Sequence, residues 1–302
     1  MIENLFLSII IPLYNKQDYI YKTLQSVLSQ EYLNFEIVIV DDGSTDNSVE
    51  IVEKISDERI HLFRKSNGGP ASARNYGVQR AQGKWVLFLD ADDTLETGAL
   101  TQVESDIRKH RFADVFCYSE YVQVNGKKIL YPENHFKGYV LFPFLKWFLR
   151  QIYPGPGRMV VRRKCLLNEP FREDLKRWED GECIFRLMRK YRFYANPIPL
   201  FSYCQDSLEA SRPRQNPRED FICNMQPEGK SFFEQLCMYK LYKDEAKYLY
   251  SNDIDALYGD TFNKVKYWRA DKYLHLYLEK KLWNYLRGRL KTKIKELVGR
   301  GR

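Results

Sequence analysis

The sequence predicts an α/β protein, a mostly parallel sheet flanked by helices, followed by a helical C-terminal extension. Three features lead to this. Short apolar runs alternate with amphipathic helical stretches over the first 120 residues, the order that builds parallel sheets with right-handed crossovers. Several of the runs are apolar at nearly every position, as strands covered on both faces are. Beyond residue 230 the pattern becomes helical almost throughout.

Taken in order, residues 7–12 (LSIIIP) form the first strand, and residues 18–30 a helix with Ile20, Leu24, Val27 and Leu28 on one stripe. Residues 36–40 (EIVIV) are the second strand; Val49, Val52 and Ile55 mark the next helix. A third strand at 60–63 precedes a helix at 71–81, and a fourth at 85–89 (WVLFL) precedes a helix at 98–109 and a strand at 113–118. Asn125-Gly126, between 121–124 and 127–131, is a hairpin turn signal. The stretch 139–153 is rich in aromatics, and Pro154-Gly155-Pro156-Gly157 forces a loop before a strand at 157–163. A helix at 182–191 is opened by Asp180, and Pro213 and Pro217 mark a boundary. The expected domains are 1–212 and a helical extension, 213–302.

Composition narrows the class. With 302 residues, 44% hydrophobic and 29% charged, the chain can bury a core, which excludes disorder as its main state. The net charge of +8 is concentrated: residues 271–302 hold ten Lys or Arg against three acids, leaving 38 basic and 37 acidic residues elsewhere. A neutral body argues against nucleic acid as a partner. Six cysteines form no C-x-x-C pair and four histidines are scattered, so no zinc spacing exists and reduced thiols in the cytoplasm are expected. The first residues lack a basic segment and carry Glu3, unlike a secretion signal. No apolar run approaches the roughly 20 residues of a spanning helix.

In open parallel sheets ligands sit beyond the carboxyl ends of the strands. Here those ends carry Pro12-Leu13-Tyr14-Asn15, Asp41-Asp42-Gly43-Ser44, Asn67-Gly68-Gly69 and Asp90-Ala91-Asp92-Asp93. The chemistry-bearing side chains therefore fall on one rim. Asp90-Ala91-Asp92 can share a hard divalent cation, Mg²⁺ or Mn²⁺, through oxygen ligands, and Asp also suits an ordinary turn. Asp41-Asp42 reads either as turn and helix-cap chemistry or as a carboxylate accepting a uracil N3–H; Tyr14 either stacks on a base or closes the strand end. There is no G-x-G-x-x-G after the first strand, no phosphate-loop motif, no G-x-S-x-G and no H-E-x-x-H.

The blocks SIIIPLYN (8–15), VDDGSTD (40–46), NGGPASARNYG (67–77), FLDADD (88–93) and WED (178–180) together resemble family 2 glycosyltransferases of the Rossmann-like GT-A fold, over about two-thirds of the chain. The resemblance implies inverting transfer of a hexosyl or N-acetylhexosaminyl group from a nucleoside diphosphate donor, commonly UDP-linked, to a saccharide or lipid-linked saccharide hydroxyl. It implies Pro12 and Tyr14 at the base, Asp41-Asp42 with Asp42 on the uracil edge, and Asn67 and Arg74 supporting the nucleotide. It further implies Asp90 and Ala91 near the ribose and diphosphate, Asp92 on the metal, and Asp180 as catalytic base. Trp178 and Glu179 are candidate acceptor contacts; Trp178 reads equally as a core residue, and a helix cap is the lesser alternative for Asp180. One departure is that the family often carries an arginine after the tyrosines near the end of its catalytic domain, whereas Tyr203 is followed by Cys204 and Gln205. The implied role is glycan synthesis at the cytoplasmic membrane face.

Residues 273–298 place Leu274, Leu278, Leu282, Leu286, Leu290 and Ile294 at four-residue steps. With the basic charge of 271–302 this is either an interfacial helix on an anionic membrane surface or a packed helix with a solvated basic face. Two rival functions are a sugar-1-phosphate nucleotidyltransferase, which would need a Gly-rich basic loop absent from 9–15, and a non-catalytic nucleotide- or glycan-binding subunit.

Overall fold

The computed structural model describes residues 6–124, 127–131, 136–149 and 151–204, with scattered positions between 221 and 241. The chain divides into two compact units, Met1–Ala246 and Lys247–Arg302. The Asn125-Gly126 turn, the prolines at 213 and 217 and the basic helix at 273–298 lie outside the described residues.

The strands are β1 (Leu7–Leu13), β2 (Phe35–Asp41), β3 (Ile60–Arg64), β4 (Trp85–Phe88), β5 (Thr94–Leu95), β6 (Val115–Val124), β7 (Lys127–Tyr131), β8 (Gly138–Val140), β9 (Met159–Arg162) and β10 (Phe193–Cys204). The helices are α1 (Ile20–Leu28), α2 (Ser48–Glu53), α3 (Pro70–Arg80), α4 (Ala99–Lys109), α5 (Pro143–Phe148), α6 (Arg163–Asn168) and α7 (Glu179–Lys190). They build a central sheet of order β3-β2-β1-β4-β9-β6-β10-β5, with β7 added to β6 and β8 to β10. Strands β1 to β4 pair in parallel, as do β6 and β10.

Alternate side chains of each central strand enter opposite layers, which explains the unbroken apolar runs. Ile10, Val38, Val40 and Phe88 pack with Ala73 and Val78 of α3 and Ile184 and Leu187 of α7. Ile9, Ile11, Ile37 and Leu87 pack with Ile20, Leu24 and Val27 of α1 and Leu100 and Val103 of α4. Helix α3 rides close on β1: a Cβ at Gly77 would lie 2.4 Å from Ile10 Cγ2. That proximity carries Arg74, one turn earlier on α3, toward the ends of β1 and β4.

Three local expectations need revision. The strand expected at 157–163 forms, but β9 runs antiparallel between β4 and β6, an insertion no local pattern signals. The pattern gave no strand over 193–204, since Pro197 and Pro199 each remove a ladder donor; β10 absorbs them at register shifts between Ala195 and Phe201. Asp180 does not open its helix. The flanking residue is Trp178, so Glu179 and Asp180 are the first two residues of α7. The five described cysteines form no disulfide.

Candidate active site

The loop leaving β2 is built around buried carboxylates. Asp42, 3% exposed, accepts the Gly68 N–H at 3.0 Å, the Gly69 N–H at 2.7 Å and the Lys65 ammonium at 2.7 Å. Asp41 accepts the Ser44 N–H at 3.0 Å. Gly43, at φ +80°, lets this loop approach the one after β3, where a Cβ would stand 3.2 Å from the Asn67 nitrogen. The loop leaving β1 is sewn to the same segment: the N–H groups of Asn15, Lys16 and Gln17 donate to Ser44, Ser48 and Asp46. Pro12 lies in β1, one residue before its end, while Tyr14 and Asn67 are exposed.

Arg74 joins the distant acids. Only 6% exposed, its guanidinium donates to Asp90 Oδ1 at 3.1 Å and to Glu179 Oε1 at 3.0 Å. Burial alone would weaken its hold on the proton, but Asp90, Glu179 and Asp180 together raise its pKa. The arginine expected to support a nucleotide is thus enclosed between two carboxylates. Glu179, 9% exposed, is pushed up to about 7 by burial and then by the charge of Asp180, against the pull of Arg74. Asp180 is half-buried, and its Oδ1 accepts the Gly181 N–H at 2.7 Å. Acids in the first turn suit the positive end of the helix dipole.

Trp178 sits immediately before these acids in the left-handed region, φ 60° and ψ 24°. Such a conformation is strained for a bulky residue and persists only where surroundings enforce it. Its indole is partly buried against the core and lies over the first turn of α7, where a Cβ on Gly181 would come within 2.9 Å of the ring.

The loop after β4 turns through an Asp93 N–H to Asp90 C=O bond of 3.0 Å, and Thr23 of α1 holds the Ala91 carbonyl at 2.9 Å. Asp90, paired with Arg74, keeps a half-exposed carboxylate, its side chain 40% accessible. Asp92 is paired with Lys16, Nζ to Oδ2 2.6 Å. Asp93 accepts the Cys204 N–H at 3.0 Å; burial, then the charges of Asp90 and Asp92, push its carboxyl well above the usual range. Nearby, Glu120 pairs with Arg158, and burial raises Glu120 despite that partner. On the α1 side of Asp92 a cleft of about 200 Å³ is lined by Tyr19, Lys22, Thr94 and Gln123 among others.

The rim therefore brings together Asp90, Arg74, Glu179 and Asp180, with Asp92 two residues from Asp90, while Asp41, Asp42, Tyr14 and Asn67 form the neighbouring lobe. Lys16, Lys65, Glu120 and Arg158 were missed by sequence reasoning. Lys16 carried a signal, following Tyr14-Asn15 directly; Arg158 follows the Pro154–Gly157 loop signal, while Glu120 lies within a strand with no motif around it. Among the described residues no group of three or more His, Cys, Asp or Glu could by itself hold a metal. Asp90 and Asp92 nevertheless offer oxygen donors only. That set fits Mg²⁺ or Mn²⁺, which keep several waters and take phosphate oxygens beside one or two carboxylates.

The chain is similar to known proteins in sequence and fold. The model of "Glycosyl transferase family 2" matches residues 8–167. The minor teichoic acid biosynthesis protein GgaA of Bacillus subtilis is 32% identical over 206 residues, 62% of this chain and 44% of that protein. Glycosyltransferase GlyG of Streptococcus pneumoniae is 33% identical over 130 residues, 41% of this chain and 43% of that one. The chain spans less than half the length of these curated relatives, and about a fifth of a glycosyltransferase from Rickettsia felis, 40% identical over 121 residues. Among solved structures, residues 1–349 of S. aureus TarS in complex with UDP-GlcNAc superpose with a TM-score of 0.61 at 27% identity, covering 70% of this chain and 62% of that one.

Proposed function

The chain belongs to glycosyl transferase family 2, and from that premise we propose that it transfers a sugar, with inversion, from a UDP-linked donor to an acceptor hydroxyl. The observation that carries this reading is the Arg74 bridge, which ties Asp90 at the end of β4 to Glu179, 105 residues from Arg74 in the chain, at the start of α7. Acids that could serve a donor diphosphate and an acid that could serve an acceptor thereby share one rim.

In this reading Pro12 and Tyr14 border the base, Asp42 offers its remaining acceptor capacity to the uracil edge, and Asp41 and Asn67 shape the pocket around it. Asp90 and the Ala91 backbone lie along the ribose and diphosphate. Asp92 would hold a divalent cation, Mn²⁺ or Mg²⁺, which when bound would supply neutralisation of the charge on the leaving diphosphate. Asp180 accepts the acceptor's proton as that oxygen bonds to the anomeric carbon, on the face opposite the breaking bond to the diphosphate. A carboxylate suffices in this role where proton transfer is late and concerted with attack. Trp178 and Glu179 flank the acceptor. Arg74 ties Glu179 to Asp90 and so sets the spacing of the two.

The acceptor class we infer is a saccharide or lipid-linked saccharide used for surface polysaccharide, a reading supported by the teichoic acid role in the name of GgaA. No helix among the described residues is long and apolar enough to cross a membrane. We assign the work to the cytoplasmic membrane face, with 1–212 as catalytic domain, 213–302 as extension and 271–302 contacting anionic lipid.

The test is turnover of UDP-sugars on a glycan acceptor, read as UDP release, alongside UDP binding by calorimetry. Asp180→Asn should keep UDP affinity and lose about 10²–10⁴-fold in turnover, the usual weight of a general base. Asp92→Ala should abolish Mn²⁺-dependent UDP binding. Full turnover in the first variant, or undiminished Mn²⁺-stimulated binding in the second, overturns the respective role.

A further inference from the structure

The backbone of Lys16 is pinned before its side chain begins. Its own N–H donates to Ser48 Oγ at 2.8 Å, and the N–H groups on either side donate to Ser44 Oγ at 3.1 Å and Asp46 Oδ2 at 3.0 Å. From that anchored base the side chain reaches across to the loop after β4 and meets Asp92 Oδ2 at 2.6 Å, with the two side chains 25% and 14% exposed. The contact joins positions 76 residues apart and aims a full positive charge at the carboxylate read above as the cation ligand.

An ammonium at hydrogen-bond distance disfavours a divalent cation on the same carboxylate, because like charges that close repel strongly in a partly desolvated site. A lysine stem is also long and flexible, so its head can move several ångströms while its backbone stays fixed. A donor diphosphate beside Asp90 would bring a second set of anionic oxygens within that reach.

We propose that Lys16 is an internal counter-ion that competes with the divalent cation for Asp92 and passes to the donor diphosphate, so that cation and donor bind more tightly together than either does alone. The proposal rests on the reading of Asp92 as the cation ligand. It deepens that reading by naming a residue that sets cation affinity and couples it to donor binding. By linkage the coupling is reciprocal: UDP strengthens Mn²⁺ binding by the same factor that Mn²⁺ strengthens UDP binding.

The experiment titrates the full chain with Mn²⁺, followed by water-proton relaxation, with and without UDP, for the wild type, Lys16→Met, Lys16→Arg and Asp92→Ala. Lys16→Met should bind Mn²⁺ alone at least about five-fold more tightly, the lower end of ordinary coupling between sites, and UDP should then add less to Mn²⁺ affinity than in the wild type. Lys16→Arg keeps the charge and should stay near the wild-type Mn²⁺ affinity. Thermal unfolding of each variant establishes that it is folded. Unchanged Mn²⁺ affinity in Lys16→Met, or undiminished coupling to UDP, overturns the proposal. Asp92→Ala separates the two levels: if it loses Mn²⁺ binding while Lys16→Met is indifferent, only the competition fails, whereas retained Mn²⁺ binding in Asp92→Ala removes the cation site and the proposal with it.

Discussion

Asp42 and Glu179 are both nearly inaccessible carboxylates on the same rim, yet the protein surrounds them in different ways. Asp42 lies among the N–H groups of Gly68 and Gly69 and the Lys65 ammonium, all from one loop 23 to 27 residues away in sequence. Glu179 has the Arg74 guanidinium, 105 residues distant, and the neighbouring charge of Asp180. Backbone amides come with the fold of a loop and cannot be removed by side-chain substitution. A guanidinium shared between Asp90 and Glu179 is one residue deep. The Asp42 lobe is therefore organised locally and redundantly, whereas the link between Asp90 and Glu179 depends on a single cation.

The largest expected effect follows from that dependence. Arg74→Met should destabilise the protein by about 3–5 kcal/mol, the range for leaving a buried charge without its partner. Urea unfolding of the two proteins measures it, and a loss below about 1 kcal/mol would show that the acids are held by other means. Asp42→Asn should cost less, about 1.5–3 kcal/mol as for hydrogen bonds to a charged group, since the asparagine oxygen still accepts one of the two amide donors. If Asp42→Asn proved the more damaging of the two, the comparison would be inverted.

A third measurement uses pH. Glu179 holds its proton up to about 7 in the folded chain, whereas the exposed carboxyl of an unfolded chain titrates near 4.5. Between those values the folded state binds more protons than the unfolded state, so this group makes stability fall as pH rises and contributes no slope above or below the window. The slope is at most about 1.4 kcal/mol per pH unit, the value for one proton. Subtracting the pH–stability curve of Glu179→Gln from that of the wild type should isolate it. A difference curve flat from pH 4.5 to 7 would mean that Arg74 outweighs burial at Glu179.

Much of this rim was legible before any coordinates. The apolar runs at 7–12 and 36–40 stop within a residue of the ends of β1 and β2, Leu13 and Asp41, because Asn15 and Asp42-Gly43 just beyond favour turns. The pair Glu179-Asp180 was visible as an acidic step ahead of an amphipathic stretch, although the flanking role fell to Trp178. Strand β10 was not visible, since Pro197 and Pro199 argue locally against a ladder that bulges allow. Nor was the reversal of β9, whose four residues MVVR fit either direction equally well.

What the sequence by itself determined is where β1 to β4 stop, to within a residue, and which acids stand at those stops, because periodicity and turn chemistry act over a few neighbouring residues. Only the tertiary structure decided which charges meet: Arg74 with Asp90 and Glu179, Lys16 with Asp92, Arg158 with Glu120. An ion pair is a matter of a few ångströms between segments that share no local pattern, and those few ångströms are set by the packing of α3 on β1 and the insertion of β9, not by the propensities of the residues that pair.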